Sequence, residues 1–355
     1  MQPKERVLAA CQHQEPDRVP IQAYFTPEIH QRLVDYFGGR EVVEALGVDF
    51  RSVNAPYTGK RGPGPGMPGK ADAYDKWGVG YTHKEHTSGG TYPEACELAL
   101  AEIRTLEDVA GYPWPSAQDY DYSVLSAACD AVQDYAVCLG GAGIPDILNG
   151  VSRGRGMEQV MIDIAAGDPA GVAIIDRRVD HYYEYCRHGL EAARGKIDIL
   201  CLGEDCGNQM GRMFSPAVFD SFFVPRLKKF VDLAHEYGAL AMLHSCGDTH
   251  EIMSTFIEMG LDILDAMQPE PPGVNCSEIK RLYGDKLTFC GLISTQQTLP
   301  HGTPEDVRAE VRQRIEVMGK GGGYIVAPAH CIQPDTSLDN VLALFAEAQG
   351  LESLH

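Results

Sequence analysis

The chain has 355 residues, 44% of them hydrophobic and 23% charged, with 30 Lys and Arg against 50 Asp and Glu. The resulting net charge of −20 repels a phosphate backbone and speaks against nucleic acid as a partner. The composition is that of a globular protein, and no stretch approaches the run of about 18 apolar residues that a membrane-spanning helix needs. The first twenty residues carry charges and prolines where a signal peptide would be apolar, so a cytoplasmic protein is expected. Eleven cysteines in a reducing compartment read as buried thiols and ligands rather than a disulfide framework.

In chain order, residues 4–14 space their apolar groups at helical intervals. DRVPIQAYF (17–25) reads as a strand entered through a proline turn, and residues 27–50 carry two more helical patterns. Residues 54–92 differ, being rich in Gly and Pro with Tyr and Trp interspersed. Such a long excursion from a compact domain often shapes a site. From about residue 116 short apolar runs alternate with helical ones, the runs lying at 135–141, 197–205, 239–247, 261–267, 287–293 and 323–330. Continuous apolar strands between helices predict a parallel sheet covered on both faces. Their number favours one closed (β/α)8 barrel, an α/β fold occupying residues 1–355 as a single domain with an N-terminal elaboration and the 54–92 insertion. Pro225 is expected to kink the helix at 216–237, Gly321 to Gly323 to make a tight turn before a strand, and Thr336 or Ser337 to start the last helix.

Parallel barrels place function at the C-terminal ends of their strands. Here the apolar runs end in Glu204, Asp205 and Cys206, in His244 and Cys246, at Gln268, before Thr295 and Gln296, and in His330 and Cys331. His244 and Cys246 are two apart, so at an extended strand end both point to one side and can reach a single ion. Cys331 would add a third ligand, and two sulfurs with one nitrogen suit zinc. Three protein ligands and one open position is the catalytic pattern, with Glu204 or Asp205 available for the fourth place. An HxC pair alone is weak, since buried Cys and hydrogen-bonded His are common in cores. Cys11, Cys96, Cys129, Cys138, Cys186, Cys201, Cys276 and Cys290 fall within apolar patterns or helices and read as core, whereas Cys206 is ambiguous. His330 is an alternative ligand but reads better as a pocket residue. The chain has no GxGxxG opening a helix and no GxxxxGK[ST].

The stretches GEDCGNQMGRMFSP (203–216), HEYGALAMLHSCGD (235–248), MGLDILDAMQPEPPG (259–273), IKRLYGDKLTFCG (279–291) and GGGYIVAPAHCIQPDTSLDNV (321–341) resemble the uroporphyrinogen decarboxylase superfamily, as does the opening 4–22. The resemblance covers about residues 4–348 and implies a single (β/α)8 barrel. True decarboxylases of that superfamily carry an Arg-rich N-terminal motif, whereas 19–33 here has no paired arginines to clamp a polycarboxylate. The other branch comprises zinc-dependent, cobalamin-linked methyltransferases, whose HxC followed much later by Cys is matched by His244, Cys246 and Cys331. The resemblance therefore implies a methyltransferase that moves a methyl group between a small substrate, favoured as a methoxylated aromatic, and the cobalt of a corrinoid. No DxHxxG loop for a corrinoid occurs, so a separate corrinoid protein is the expected partner. Glu204 and Asp205 are assigned catalytic roles, and Tyr24, Gln209, Gln268 and His330 are assigned to substrate. Tyr24, Phe25, Tyr57, Trp77 and Tyr81 offer aromatic walls, although loop and core packing accounts for each one singly. The competing readings are a metal-independent decarboxylase of a porphyrinogen-like acid and a corrinoid-binding protein without chemistry of its own.

Overall fold

A computed structural model of the chain describes residues 1–85 and 90–354. Twelve strands occur among them: β1 Phe50–Val53, β2 Ala73–Tyr74, β3 Gly80–Glu85, β4 Thr91–Glu97, β5 Ala136–Pro145, β6 Ile199–Gly203, β7 Gly207–Asn208, β8 Gly211–Arg212, β9 Leu240–His244, β10 Ile263–Met267, β11 Thr288–Ile293 and β12 Tyr324–Pro328. Seven form one curled sheet in the order β1-β5-β6-β9-β10-β11-β12, every pair parallel. Strands β6, β10, β11 and β12 are buried at every residue, which explains why they read as unbroken apolar runs.

The expected strand at 17–25 is present only as single bridges, Ile21 to Val326 and Phe25 to Ile332. Pro20 has no N–H to give to a ladder, and on the other side a side chain takes the partner strand's place. The Ile21 N–H donates to Asp49 Oδ2 at 2.8 Å, while the Asp49 N–H donates to the Ile21 carbonyl at 2.9 Å. Fully buried Asp49 is balanced by Arg6 at 2.6 Å and Arg18 at 2.8 Å, so two cations neutralise the carboxylate that stitches this segment to β1.

The excursion at 54–92 contains a three-stranded antiparallel sheet, β2-β3-β4, whose last strand runs on to Glu97. Residues 86–89 of that excursion lie outside the described residues. Around Pro225 the expected kink takes a specific form. A short helix Pro216–Val218 passes through a π-turn at Phe219–Phe223 into the helix Val224–Glu236, at whose start Pro225 needs no hydrogen-bond partner. Gly321, Gly322 and Gly323 have φ of 75°, 82° and 71°, and a Cβ on Gly322 would stand 2.6 Å from the Gln14 backbone nitrogen. Only glycine makes this turn into β12 without strain. Ser337 caps the last helix, Leu338–Gln349, by accepting from the Asn340 N–H. No described helix is long and apolar enough to cross a membrane. All eleven thiols are free, and Cys96, expected in the core, is exposed on β4.

Candidate metal centre

Strand register builds the site. In the pairing of β9 with β10, His244 stands beside Asp265, and in the pairing of β6 with β9 it stands beside Gly203. Neighbours in register share a face, so the Asp265 carboxylate meets the imidazole directly. His244 Nδ1 and Asp265 Oδ2 are 2.7 Å apart, and the Tyr24 hydroxyl donates to Asp265 Oδ1 at 2.9 Å. Both oxygens of a carboxylate only 2% exposed are therefore engaged. The Nδ1 atom holds the proton of that bond, which leaves Nε2 facing the Cys246 sulfur at 3.5 Å.

Asp205, just past the end of β6, joins them. Its Oδ1 accepts the Cys246 N–H at 2.9 Å, and its Oδ2 accepts from Asn149 Nδ2 at 2.7 Å. Ligand atoms of Asp205, His244 and Cys246 all lie within 4.8 Å of one another. Oxygen from the end of β6 and nitrogen and sulfur from the end of β9 thus converge, a donor set that fits zinc. The electrostatics are those of an ion pair. Burial opposes a charged His244, but its bonds to Asp265 and Cys246 outweigh that and raise its pKa well above the ordinary value. Burial likewise opposes a thiolate at Cys246, yet hydrogen bonds from His244 and His330 lower its pKa.

Beside this group lies a cavity of about 210 Å³, walled by Tyr24, Leu202, Met242, His244, Asp265, His330 and Cys331 together with the glycine run of β5. His330 is kept more basic than usual by its hydrogen bond to Cys246. Burial pushes the Cys331 thiol up.

The residues singled out from the sequence separate into distinct places. His244, Cys246 and Asp205 come together, whereas Cys331 stands outside that trio although it lines the same cavity as His244. Tyr24 and His330 are on the cavity wall. Gln268 accepts from the Gly247 N–H at 3.1 Å and from Gln209 Nε2 at 2.7 Å, so this pair braces the turn after Cys246 and does not face the cavity. Glu204 turns inward. Its two oxygens accept the N–H groups of Ile147 and Leu148 at 2.6 and 3.1 Å, closing the N-terminus of the helix Ile147–Arg155. Among the aromatics, Phe25 packs on Phe345, Tyr57 packs on Tyr120, and Trp77 and Tyr81 line a different cavity. Asp265 and Asn149 were missed by sequence reasoning. The signal for Asp265 was an acid set among apolar residues in LDILDAM; Asn149 gave none.

Comparison with known proteins adds relatives to this geometry. A model of the family described as "Uroporphyrinogen decarboxylase (URO-D)" matches residues 98–351. A methylcobamide:CoM methyltransferase MtaA of Methanosarcina barkeri is 32% identical over 134 residues, 38% of this chain and 37% of that protein. A uroporphyrinogen decarboxylase of Pseudoalteromonas translucida is 24% identical over 170 residues, 47% of this chain and 44% of that one. The chain thus spans well under half the length of these curated relatives. A solved methyltransferase from Methanosarcina mazei superposes with a TM-score of 0.64 over 99% of both chains at 18% identity, a likeness of fold.

Proposed function

The chain belongs to the uroporphyrinogen decarboxylase (URO-D) family, and from that premise we propose that it is a zinc-dependent methyltransferase that moves a methyl group between a small substrate and the cobalt of a corrinoid protein. A methoxylated aromatic is the favoured methyl donor, and the corrinoid arrives on a separate partner. The observation that carries the reading is the convergence of Asp205, His244 and Cys246 within 4.8 Å at the mouth of the sheet, beside a cavity. Similarity to a methylcobamide:CoM methyltransferase supports it. In the same reading the 19–25 segment is the eighth stave of a closed barrel, supported by its bridges to β12 and its hydrogen bonds to Asp49.

His244 and Cys246 hold the metal, Asp205 is the oxygen donor in reach, and Cys331 is the sulfur that a small movement of the cavity wall would add. Bound zinc would supply Lewis acidity towards the oxygen or sulfur at which the methyl group is exchanged. The chain's own residues prepare that event. Asp265 keeps the His244 proton on Nδ1 and so leaves Nε2 free to ligate, while Tyr24 fixes Asp265 in turn. Leu202 and Met242 keep the cavity wall apolar, which strengthens the electrostatic interactions within it. His330, on the same wall, would return a proton to the leaving oxygen.

The test is methyl transfer between free cob(I)alamin and a panel of methoxylated aromatics and methylated thiols, with and without a chelator. Transfer that disappears on chelation and returns with zinc supports the reading. Release of carbon dioxide from a porphyrinogen-like acid, indifferent to chelators, would overturn it in favour of a metal-independent decarboxylase.

A further inference from the structure

A second cavity, of about 270 Å³, lies beyond the C-terminal end of β5, against the helix Ile147–Arg155. Its lining carries four cations, Arg61, Lys76, Arg153 and Arg178, and one carboxylate, Asp75. In a chain where acids outnumber bases 50 to 30, that inversion is a local feature against the general field. Asp75 is already committed: Oδ1 accepts the N–H groups of Trp77 and Val79 at 2.8 and 3.0 Å, and Oδ2 accepts the Tyr81 hydroxyl at 2.9 Å. Asp146 stands behind the wall, 3.6 Å from Arg153 and 3.9 Å from Arg178. Counting both acids, the balance at the cavity is 4 − 2 = +2.

Arg178 is built in. Its Nε donates to the carbonyls of Pro145 and Asp146 at 2.5 and 3.1 Å, and a Cβ on Gly150 would stand 2.2 Å from its guanidinium carbon. Lys76 is in the opposite position. Its ammonium is half-buried, hydrogen-bonded to the hydroxyls of Tyr120 and Tyr182 and 4.5 Å from the centre of the Tyr182 ring, but among the described residues no carboxylate lies within 4.0 Å of it. Removing an ammonium from water without a counter-charge is unfavourable, and burial lowers its pKa accordingly. A ligand bearing negative charge would supply the missing counter-charge.

We propose that this cavity binds the anionic end of a small aromatic molecule, a carboxylate, sulfonate or phosphate, through Lys76 and Arg153, with Trp77, Tyr81 and Tyr182 as its apolar walls. Ionised donors on an oxyanion give the strongest hydrogen bonds available to side chains, and aromatic walls add ring contacts. Asn149 ties the two cavities together, since it donates to Asp205 and lies one helical turn, about 6 Å, before Arg153. Resting on the methyl-transfer reading, the cavity seats the charged tail of that substrate; the binding itself stands without that reading.

The chain has two tryptophans, so the full chain carrying Trp114→Phe reports Trp77 alone by fluorescence. It is titrated with phenyl phosphate, benzenesulfonate, benzoate and, as the neutral probe, benzyl alcohol. Saturable binding of at least one anion, tenfold or more tighter than benzyl alcohol, is expected. Lys76→Met weakens it tenfold or more, Lys76→Arg restores most of it, and Cys246→Ser leaves it unchanged. If Lys76→Met does not fold, Arg153→Met carries the same test from a side chain that is 53% exposed. Equal affinity for anions and benzyl alcohol overturns the proposal, as does a folded Lys76→Met that binds anions as tightly as its parent. Anion binding in a chain that transfers no methyl group upholds the cavity and removes only the function proposed for the other site.

Discussion

Asp265 determines what His244 can offer. Its carboxylate holds the Nδ1 proton at 2.7 Å and is itself held by Tyr24 at 2.9 Å. Outer partners of this kind commonly contribute about 10- to 100-fold in metal affinity or activity. Asp265→Asn is therefore expected to weaken zinc binding by that factor, read by competition with a chelating dye, while the fold persists. Tyr24→Phe should weaken it less, because it loosens Asp265 without removing the acceptor from His244. An unchanged zinc affinity in Asp265→Asn would show that the His244 tautomer does not depend on it. His244, Cys246 and Asp205 were legible in the sequence because each follows directly on the end of an apolar run. Asp265 was not, since its role depends on the register of β9 against β10, and register is a property of two strands. Cys331 was read from the sequence as a third ligand, whereas it lies on the cavity wall outside the close trio.

At the scale of elements, the helix Ile147–Arg155 carries one wall of the cationic cavity and reaches the metal group through Asn149, and Glu204 anchors its start. The sequence marked Glu204 as catalytic because it ends a strand. The chain turns its carboxylate to a helix N-terminus instead, where two backbone N–H groups bind it, although burial and the nearby Asp146 and Asp205 raise its pKa well above the ordinary value. Glu204→Ala would leave two buried N–H groups without a partner, each worth about 1–3 kcal/mol. A large loss of stability in chemical denaturation is expected, with the activity per folded molecule reduced far less. A catalytic Glu204 would show the reverse, near-normal stability with turnover lowered a hundredfold. Helix positions were readable where proline or glycine punctuates the chain, as at Pro225 and Gly321 to Gly323. The strand at 17–25 was over-read because Pro20 and the Asp49 side chain replace ladder bonds that an apolar pattern cannot reveal.

For the whole molecule, the repeated apolar runs disclosed the parallel sheet, since buried strands leave the same mark at each turn of the fold. The 54–92 excursion disclosed little, because its three short strands lie mostly exposed and lack a period. It nevertheless contributes Arg61, Lys76, Trp77 and Tyr81 to the cationic cavity. One consequence of that packing is global. His181, buried against this region, has its pKa lowered to about 3 by burial and by the charge of Lys76. In the unfolded chain it titrates near 6.5, so below that pH the unfolded state binds more protons and stability falls as pH drops from about 6.5 towards 3. This one group contributes a slope of about 1.4 kcal/mol per pH unit across that window. Urea unfolding at pH 7 and pH 5 measures it, and His181→Gln should flatten the dependence; an equal slope in the variant would place the acid sensitivity elsewhere. The central claim is that Asp205 after β6 and His244 and Cys246 at the end of β9 hold one Lewis-acidic ion. Zinc content of the full chain, measured by plasma mass spectrometry after purification without a metal-affinity step, tests it most directly. About one ion per chain is predicted for the wild type and almost none for Cys246→Ser; a chain that transfers methyl groups at full rate while holding no metal would contradict it.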